Sequence, residues 1–194
     1  MNILTLLGSP RARGNTATIL EKAESEFREQ GHRVRRIHVA RKMIGGCLGC
    51  GACRKVPDRI GCVQHDDAIE TLECMIEADT IVFATPVYYW GMTAQLKALV
   101  DRTNALITRY GEPEQNSLVR GKGFALLATG GGIYENNELV FTAFRKTAKA
   151  LQARLVGELH IGECREPGDM TAETKARGTE FARRVLEQAL TAGA

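Results

Sequence analysis

Short apolar runs alternate with amphipathic segments of helical period along the chain. Residues 2–7 (NILTLL) are continuous and largely apolar, the pattern of a strand buried on both faces. Over 16–30, Thr16, Ile19, Leu20, Ala23 and Phe27 share one helical face. Residues 33–39 (RVRRIHV) alternate approximately, which predicts an edge strand with one wet face. A cysteine-bearing stretch at about 43–65 follows. Asp66 and Asp67 then suit the start of a helix that turns Ile69, Leu72 and Ile76 inward. Residues 80–84 (TIVFA) predict a third strand and 92–108 a long helix carrying Met92, Leu96, Leu99, Val100, Leu106 and Ile107. Residues 123–129 (GFALLAT) predict a fourth strand and 137–153 a helix presenting Val140, Phe144, Thr147 and Leu151. A fifth strand at 155–161 precedes a last helix with Phe181, Val185, Leu186 and Ala189 on one face.

Five strands alternating with five helices predict an α/β, doubly wound three-layer sandwich around a five-stranded parallel sheet. A barrel would need eight such units and does not fit the length. Alternation alone leaves the strand order open. Without an internal repeat or a linker, residues 1–194 read as one domain. In such sheets ligands sit beyond the carboxyl ends of the strands at a switch point, so the loops after strands one, three and four are where function is expected.

Composition narrows the classes. With 44% hydrophobic and 25% charged residues the chain can bury an ordinary core, and a net charge of +3 from scattered Lys and Arg does not make a nucleic-acid footprint. No apolar run approaches the roughly 18 residues that span a membrane. The opening Met1–Gly8 has no basic segment and no cleavage site, so it reads as a first strand rather than a signal peptide. A cytoplasmic location is the resulting expectation.

The loop after the first strand reads Gly8-Ser9-Pro10-Arg11-Ala12-Arg13-Gly14-Asn15-Thr16 and runs straight into a helix. A helix N-terminus offers unpaired N–H groups and the positive end of a dipole, which attract phosphate. Ser9, Asn15 and Thr16 add donors and Arg11 or Arg13 adds charge, although an ordinary capped turn uses the same residue types. The segment is neither Gly-x-Gly-x-x-Gly nor a P-loop. After the third strand comes Thr85-Pro86-Val87-Tyr88-Tyr89-Trp90-Gly91-Met92-Thr93, with three adjacent aromatics in a chain only 6% aromatic. They suit a flat ring, a subunit interface or a cover for the core. After the fourth strand, Thr129-Gly130-Gly131-Gly132-Ile133-Tyr134-Glu135 offers close backbone approach to a ligand, or a flexible turn.

These segments, with the block Thr85 to Thr93 continuing as Ala94-Gln95-Leu96-Lys97-Ala98-Leu99-Val100-Asp101-Arg102, resemble the NADPH-dependent FMN reductase and iron–sulfur flavoprotein branch of the flavodoxin-like superfamily. The resemblance covers most of the chain. It implies a flavodoxin-like sheet, an FMN cofactor, and a homodimer or homotetramer with flavin near a subunit interface. It also implies that Ser9, Arg11, Asn15 and Thr16 hold the FMN phosphate. Pro86, Val87, Tyr88, Tyr89, Trp90 and Gly91, with Thr129, Gly130, Gly131 and Gly132, would line the ribityl chain and the isoalloxazine ring.

Four of the six cysteines are spaced Cys47-x2-Cys50-x2-Cys53-x8-Cys62 on a glycine-rich loop. The first three match the opening of a bacterial ferredoxin run, and a fourth thiolate would complete the ligands of a [4Fe–4S] cluster. Set against the iron–sulfur flavoproteins, the last gap is a little longer and Gly46 stands where proline is common. Zinc on the same thiolates, or a loop of free thiols or one reversible disulfide with no metal, are the other readings. Cys74 and Cys164 fall outside the motif and read as buried, inert thiols.

The expected reaction carries electrons from NAD(P)H, or from a reduced carrier, through FMN to a small acceptor such as a quinone or flavin. The flavin would carry the chemistry, so no acid–base triad is expected, and His32, His38, His65 and His160 read as surface or strand residues. An electron carrier of the flavodoxin type would share fold and cofactor but usually has a strongly acidic surface, unlike this chain. A redox sensor acting through the cysteine loop is the third class.

Overall fold

The computed structural model describes residues 1–166 and 169–191. Strand β1 (Asn2–Leu7) lies between β2 (Arg33–His38) and β3 (Thr80–Pro86). β3 pairs in turn with β6 (Gly123–Thr129), and β6 with β7 (Arg154–Ile161). All four pairings are parallel, in the order β2-β1-β3-β6-β7. The chain therefore reverses direction across the sheet between β1 and β3, the switch point of a doubly wound fold.

Side chains alternate across each strand, so one sequence feeds two cores. Leu4, Leu6, Phe83, Phe124 and Leu126 face α2 (Asp67–Glu77), α3 (Ala94–Arg102) and α4 (Tyr134–Ala150). Ile3, Leu7, Val82, Ala125 and Leu127 face α1 (Asn15–Glu29) and α5 (Ala172–Thr191). The central strands are apolar on both faces because both faces are covered, and β2 alternates because it is an edge. The helices α1 and α5 pack so closely that a Cβ on Gly178 would stand 2.6 Å from the Ile19 carbonyl oxygen. No helix among the described residues is long and apolar enough to cross a membrane.

The helix expected over 92–108 is shorter. It begins at Ala94 because the Thr93 hydroxyl accepts the Leu96 N–H as a cap, 3.3 Å. It ends at Arg102, where the Thr103 hydroxyl donates to the Val100 carbonyl, 2.6 Å, in competition with the backbone ladder. A 3-10 turn over Thr103–Leu106 follows, then β4 (Ile107–Thr108), paired antiparallel with β5 (Asn116–Ser117). Leu106 and Ile107 remain buried, but on a turn and a strand. The fourth helix also starts earlier than expected, at Tyr134.

Candidate functional site

Backbone hydrogen bonds tie the loops at the carboxyl edge of the sheet to their neighbours. Gly8 N–H donates to the Ala84 carbonyl (2.8 Å), Val87 N–H to Thr129 (2.7 Å), and Gly130 N–H to Ile161 (2.9 Å). A cavity of about 280 Å³ opens between them.

The first wall is the loop into α1. Gly14 occupies the N-cap position and has no side chain to offer, so the first backbone bond of the helix is Thr18 N–H to the Gly14 carbonyl, 3.0 Å. The N–H groups of Asn15, Thr16 and Ala17 precede that bond and have no intrahelical partner. The Ser9 hydroxyl is used locally. It accepts from Arg11 N–H and donates to the Arg11 carbonyl, both at 3.2 Å, which shapes the turn. Behind it, His38 Nε2 donates to the Ser9 carbonyl at 2.7 Å. The Thr16 and Thr129 hydroxyls meet at 2.7 Å, buried, so the first and third loops are locked together. Asn15 Nδ2 donates to the Glu166 carbonyl at 3.2 Å, while its Oδ1 is buried without a partner among the described residues.

The second wall comes from Pro86, Val87 and Tyr88. Tyr88 and Gly91 exchange reciprocal backbone bonds of 3.0 Å around Tyr89 (φ +45°) and Trp90 (φ +61°). Two successive left-handed residues make a two-residue reverse turn that normally takes Asn-Gly, so the aromatic pair is held under backbone strain. Tyr89 is 94% exposed, Tyr88 and Trp90 about half exposed. Tyr89, Trp90 and Gly91 stand outside the cavity wall.

Thr129, Gly130 and Gly131 form the third wall. Gly132 lies outside it, and its carbonyl accepts from Asn137 Nδ2 at 3.1 Å. Asn137 Nδ2 also reaches His160 Nε2 at 3.0 Å, which places the imidazole's own proton on Nδ1. Burial, then the nearby Arg177 charge, push the His160 pKa below its usual value.

A fourth wall, Cys164 and Arg165 after β7, escaped the sequence reading. Cys164 is buried and burial raises its thiol pKa, as expected of an unreactive cysteine, yet it faces the cavity. The signal that would have found this wall is the strand order. β7 lies beside β6, so the loop after it adjoins the glycine loop. Among the described residues, the walls contain two arginines, Arg11 and Arg165, and no carboxylate. Unpartnered helix N–H groups with flanking guanidiniums are the donor set that a phosphate requires, so the site fits the FMN phosphate.

Among the described residues, none of the cysteine loop lines this cavity. Cys47 and Cys50 are exposed, Cys53 and Cys62 partly buried. Among the described residues no three His, Cys, Asp or Glu side chains are gathered as a metal-ion site. Asn104 Nδ2 donates to Cys53 Sγ at 3.3 Å. Arg102, also unanticipated, is buried and clamps both ends of the loop. It donates to the Gly45 carbonyl (3.0 Å), the Gln64 carbonyl (3.3 Å) and both oxygens of Asp66 (2.8 and 3.0 Å). Asp66 also caps α2 through Ala68 N–H (3.1 Å) and holds Gly45 N–H (2.9 Å). The Arg102 guanidinium keeps the Asp66 carboxyl below the usual carboxylate range.

Comparison with known proteins agrees with this geometry. The profile of the NADPH-dependent FMN reductase family matches residues 1–163. An iron–sulfur flavoprotein of Archaeoglobus fulgidus is 39% identical over 102 residues, 53% of this chain and 45% of its own length. One from Methanosarcina thermophila is 37% identical over 131 residues, 68% of this chain and 64% of its own length. The match thus spans about half to two thirds of these relatives. An FMN-dependent NADH-azoreductase of Bacillus anthracis, solved with FMN, superposes with TM-score 0.69 at 12% identity, covering 100% of this chain and 99% of that one, and so shares the flavodoxin-like fold. With the family profile matched over most of its length, the chain belongs to the NADPH-dependent FMN reductase family.

Proposed function

We propose that this protein is an FMN-dependent oxidoreductase that passes electrons from NAD(P)H, or from a reduced carrier, to a small acceptor such as a quinone or a flavin. One observation carries the reading. In a chain of this family, the cavity at the carboxyl ends of β1, β3 and β6 joins an uncapped helix N-terminus to two arginines on walls that, among the described residues, hold no carboxylate. Arg11 and the N–H groups of Asn15 and Thr16 would hold the phosphate, on a turn shaped by Ser9. Pro86, Val87 and Tyr88, with Thr129, Gly130 and Gly131, would hold the ribityl chain and ring, while Tyr89, Trp90, Gly91 and Gly132 stand beyond that wall. When bound, FMN supplies two-electron chemistry: a hydride from NAD(P)H and a proton from water together reduce a quinone to its hydroquinone. The chain's own part is to bind and orient. The Thr16–Thr129 bond fixes the loops that meet the cofactor, and His38 fixes Ser9 from behind. The exposed Tyr88–Gly91 turn supports a homodimer or homotetramer, because it offers an aromatic surface to a second copy. Purified protein should bind about one FMN per chain and oxidise NAD(P)H steadily with a quinone. Failure to bind FMN at high micromolar concentration refutes the reading.

The cysteine loop favours an added role. Cys47, Cys50, Cys53 and Cys62 would hold a [4Fe–4S] cluster, for which an all-thiolate donor set is suited. Such a cluster supplies single-electron transfer and would make the protein a relay between a one-electron donor and the acceptor. Anaerobic reconstitution should load about four iron and four sulfide per chain. Cys50→Ser should abolish the iron and leave FMN bound, since the two sites are separate segments. Protein that stays free of iron while binding zinc tightly would show the loop to be structural.

A further inference from the structure

We propose that Arg165 is a second phosphate-binding cation of the flavin site and sets its preference for FMN over unphosphorylated flavin. The assignment rests on the FMN reading above. Arg165 lies two residues beyond the part of the chain that the family profile matches, so the family resemblance does not supply it. It comes from the cavity: Arg165 forms its fourth wall, with Arg11 on the first, and the α1 N-terminus opens into the same space.

The Arg165 side chain is exposed, but its backbone is pinned on both sides. The Asp169 carboxylate accepts from Arg165 N–H at 2.7 Å and from Glu166 N–H at 2.8 Å. Those bonds hold the Asp169 carboxyl below its ordinary range, so it stays ionised at neutral pH. Cys164 N–H donates to the Gly130 carbonyl at 3.1 Å, and the Glu166 carbonyl accepts from Asn15 Nδ2 at 3.2 Å. The residue before Arg165 is thus tied to the glycine loop and the residue after it to the start of α1. The side chain runs over Gly131, where an added Cβ would stand 3.2 Å from both its Cγ and its Nε. A glycine there lets the guanidinium stem lie against the loop.

Charge explains why a second cation belongs here. A phosphate monoester carries about −1.5 to −2 at pH 7. A helix N-terminus contributes about half a positive charge and Arg11 one more. The ionised Asp169 carboxylate at the Arg165 backbone offsets about one of these charges, so Arg165 is needed to bring the cradle to about +1.5, close to neutrality with its guest. Among the described residues, neither arginine is in a side-chain ion pair with a carboxylate. Both guanidiniums are therefore available to an anion.

The test compares flavins that differ only in the phosphate. Wild-type, Arg165→Gln and Arg165→Lys proteins are loaded with FMN or with riboflavin, and release on dilution is followed by the recovery of flavin fluorescence. Loss of one charge-assisted contact should weaken FMN about tenfold in Arg165→Gln. The loss should shrink as salt is raised, because screening weakens exposed charge contacts. Riboflavin should be unaffected, and Arg165→Lys should recover most of the FMN affinity. If Arg165→Gln retains FMN like the wild type, or loses FMN and riboflavin equally, the assignment is wrong while the flavin reading stands. If the wild type itself does not bind FMN, the flavin reading fails first.

Discussion

Replacing Asp66 by Asn should be among the most damaging polar substitutions in this chain. Arg102 is 1% exposed at its side chain and Asp66 18% exposed. The substitution keeps the shape, and Asn can still cap α2, so the cost falls on the guanidinium left without its counter-charge. Removing one partner of a buried pair costs about 3–5 kcal/mol. Water reaches the Asp66 side, so the lower end of that range, about 3 kcal/mol, is expected. Total stability is about 5–15 kcal/mol. At about 2–4 °C per kcal/mol for a domain of this size, Tm should fall by roughly 6–12 °C. Arg102→Met removes the buried charge itself and leaves a carboxylate that still accepts from Gly45 and Ala68 N–H, so it should cost less, about 1–2 kcal/mol. The double variant should lie well short of the sum, with a coupling of about 1–3 kcal/mol. Urea unfolding of the four proteins measures all of these terms. The pH dependence is a second handle. Because folding lowers the Asp66 pKa, its contribution is fully present above the ordinary carboxylate value of about 3.9 and is lost as the pH falls through the depressed one. The gap between wild type and Asp66→Asn should therefore close in acid. A cost below about 1 kcal/mol, or strict additivity, refutes the argument that the clamp on the cysteine loop is an ion pair in a dry site.

Tyr89→Asn with Trp90→Gly supplies the residue pair this reverse turn prefers, and removing two left-handed aromatics should raise Tm by a few degrees; an unchanged or lower Tm would show that the turn is not strained. Gly178→Ala gains about 1 kcal/mol of helix propensity but drives a Cβ to 2.6 Å from the Ile19 carbonyl, so a net loss of about 1 kcal/mol is expected by urea titration, and a more stable variant would contradict it. His160 has its pKa lowered on folding, so the unfolded chain takes up the proton first. Stability should be full above about pH 6.5 and decline as the pH drops toward the depressed value. His160→Gln should flatten that decline, and parallel profiles for the two proteins would refute it.

The order of strands and helices could be read from the chain because burial on one or two faces imposes a period on the residues themselves. The apolar runs at 2–7, 80–84 and 123–129 and the alternation at 33–39 each report the local environment of one strand. The start of α1 after Gly14 was legible for the same reason, since a helix start is a local event. What the pattern could not carry was who lies beside whom. The strand order is decided by long-range packing, and it alone brings Cys164 and Arg165 to the cavity and sets Arg102 between the two ends of the cysteine loop. Hydrophobic period also misread 92–108 as one helix, because Leu106 and Ile107 are buried by a turn and a strand as well as they would be by a helix. Burial leaves its mark on composition whatever the backbone does. The direction of the backbone at Arg102, and the outward turn of Tyr89 and Trp90, rest on particular hydrogen bonds that exist only once the chain has folded.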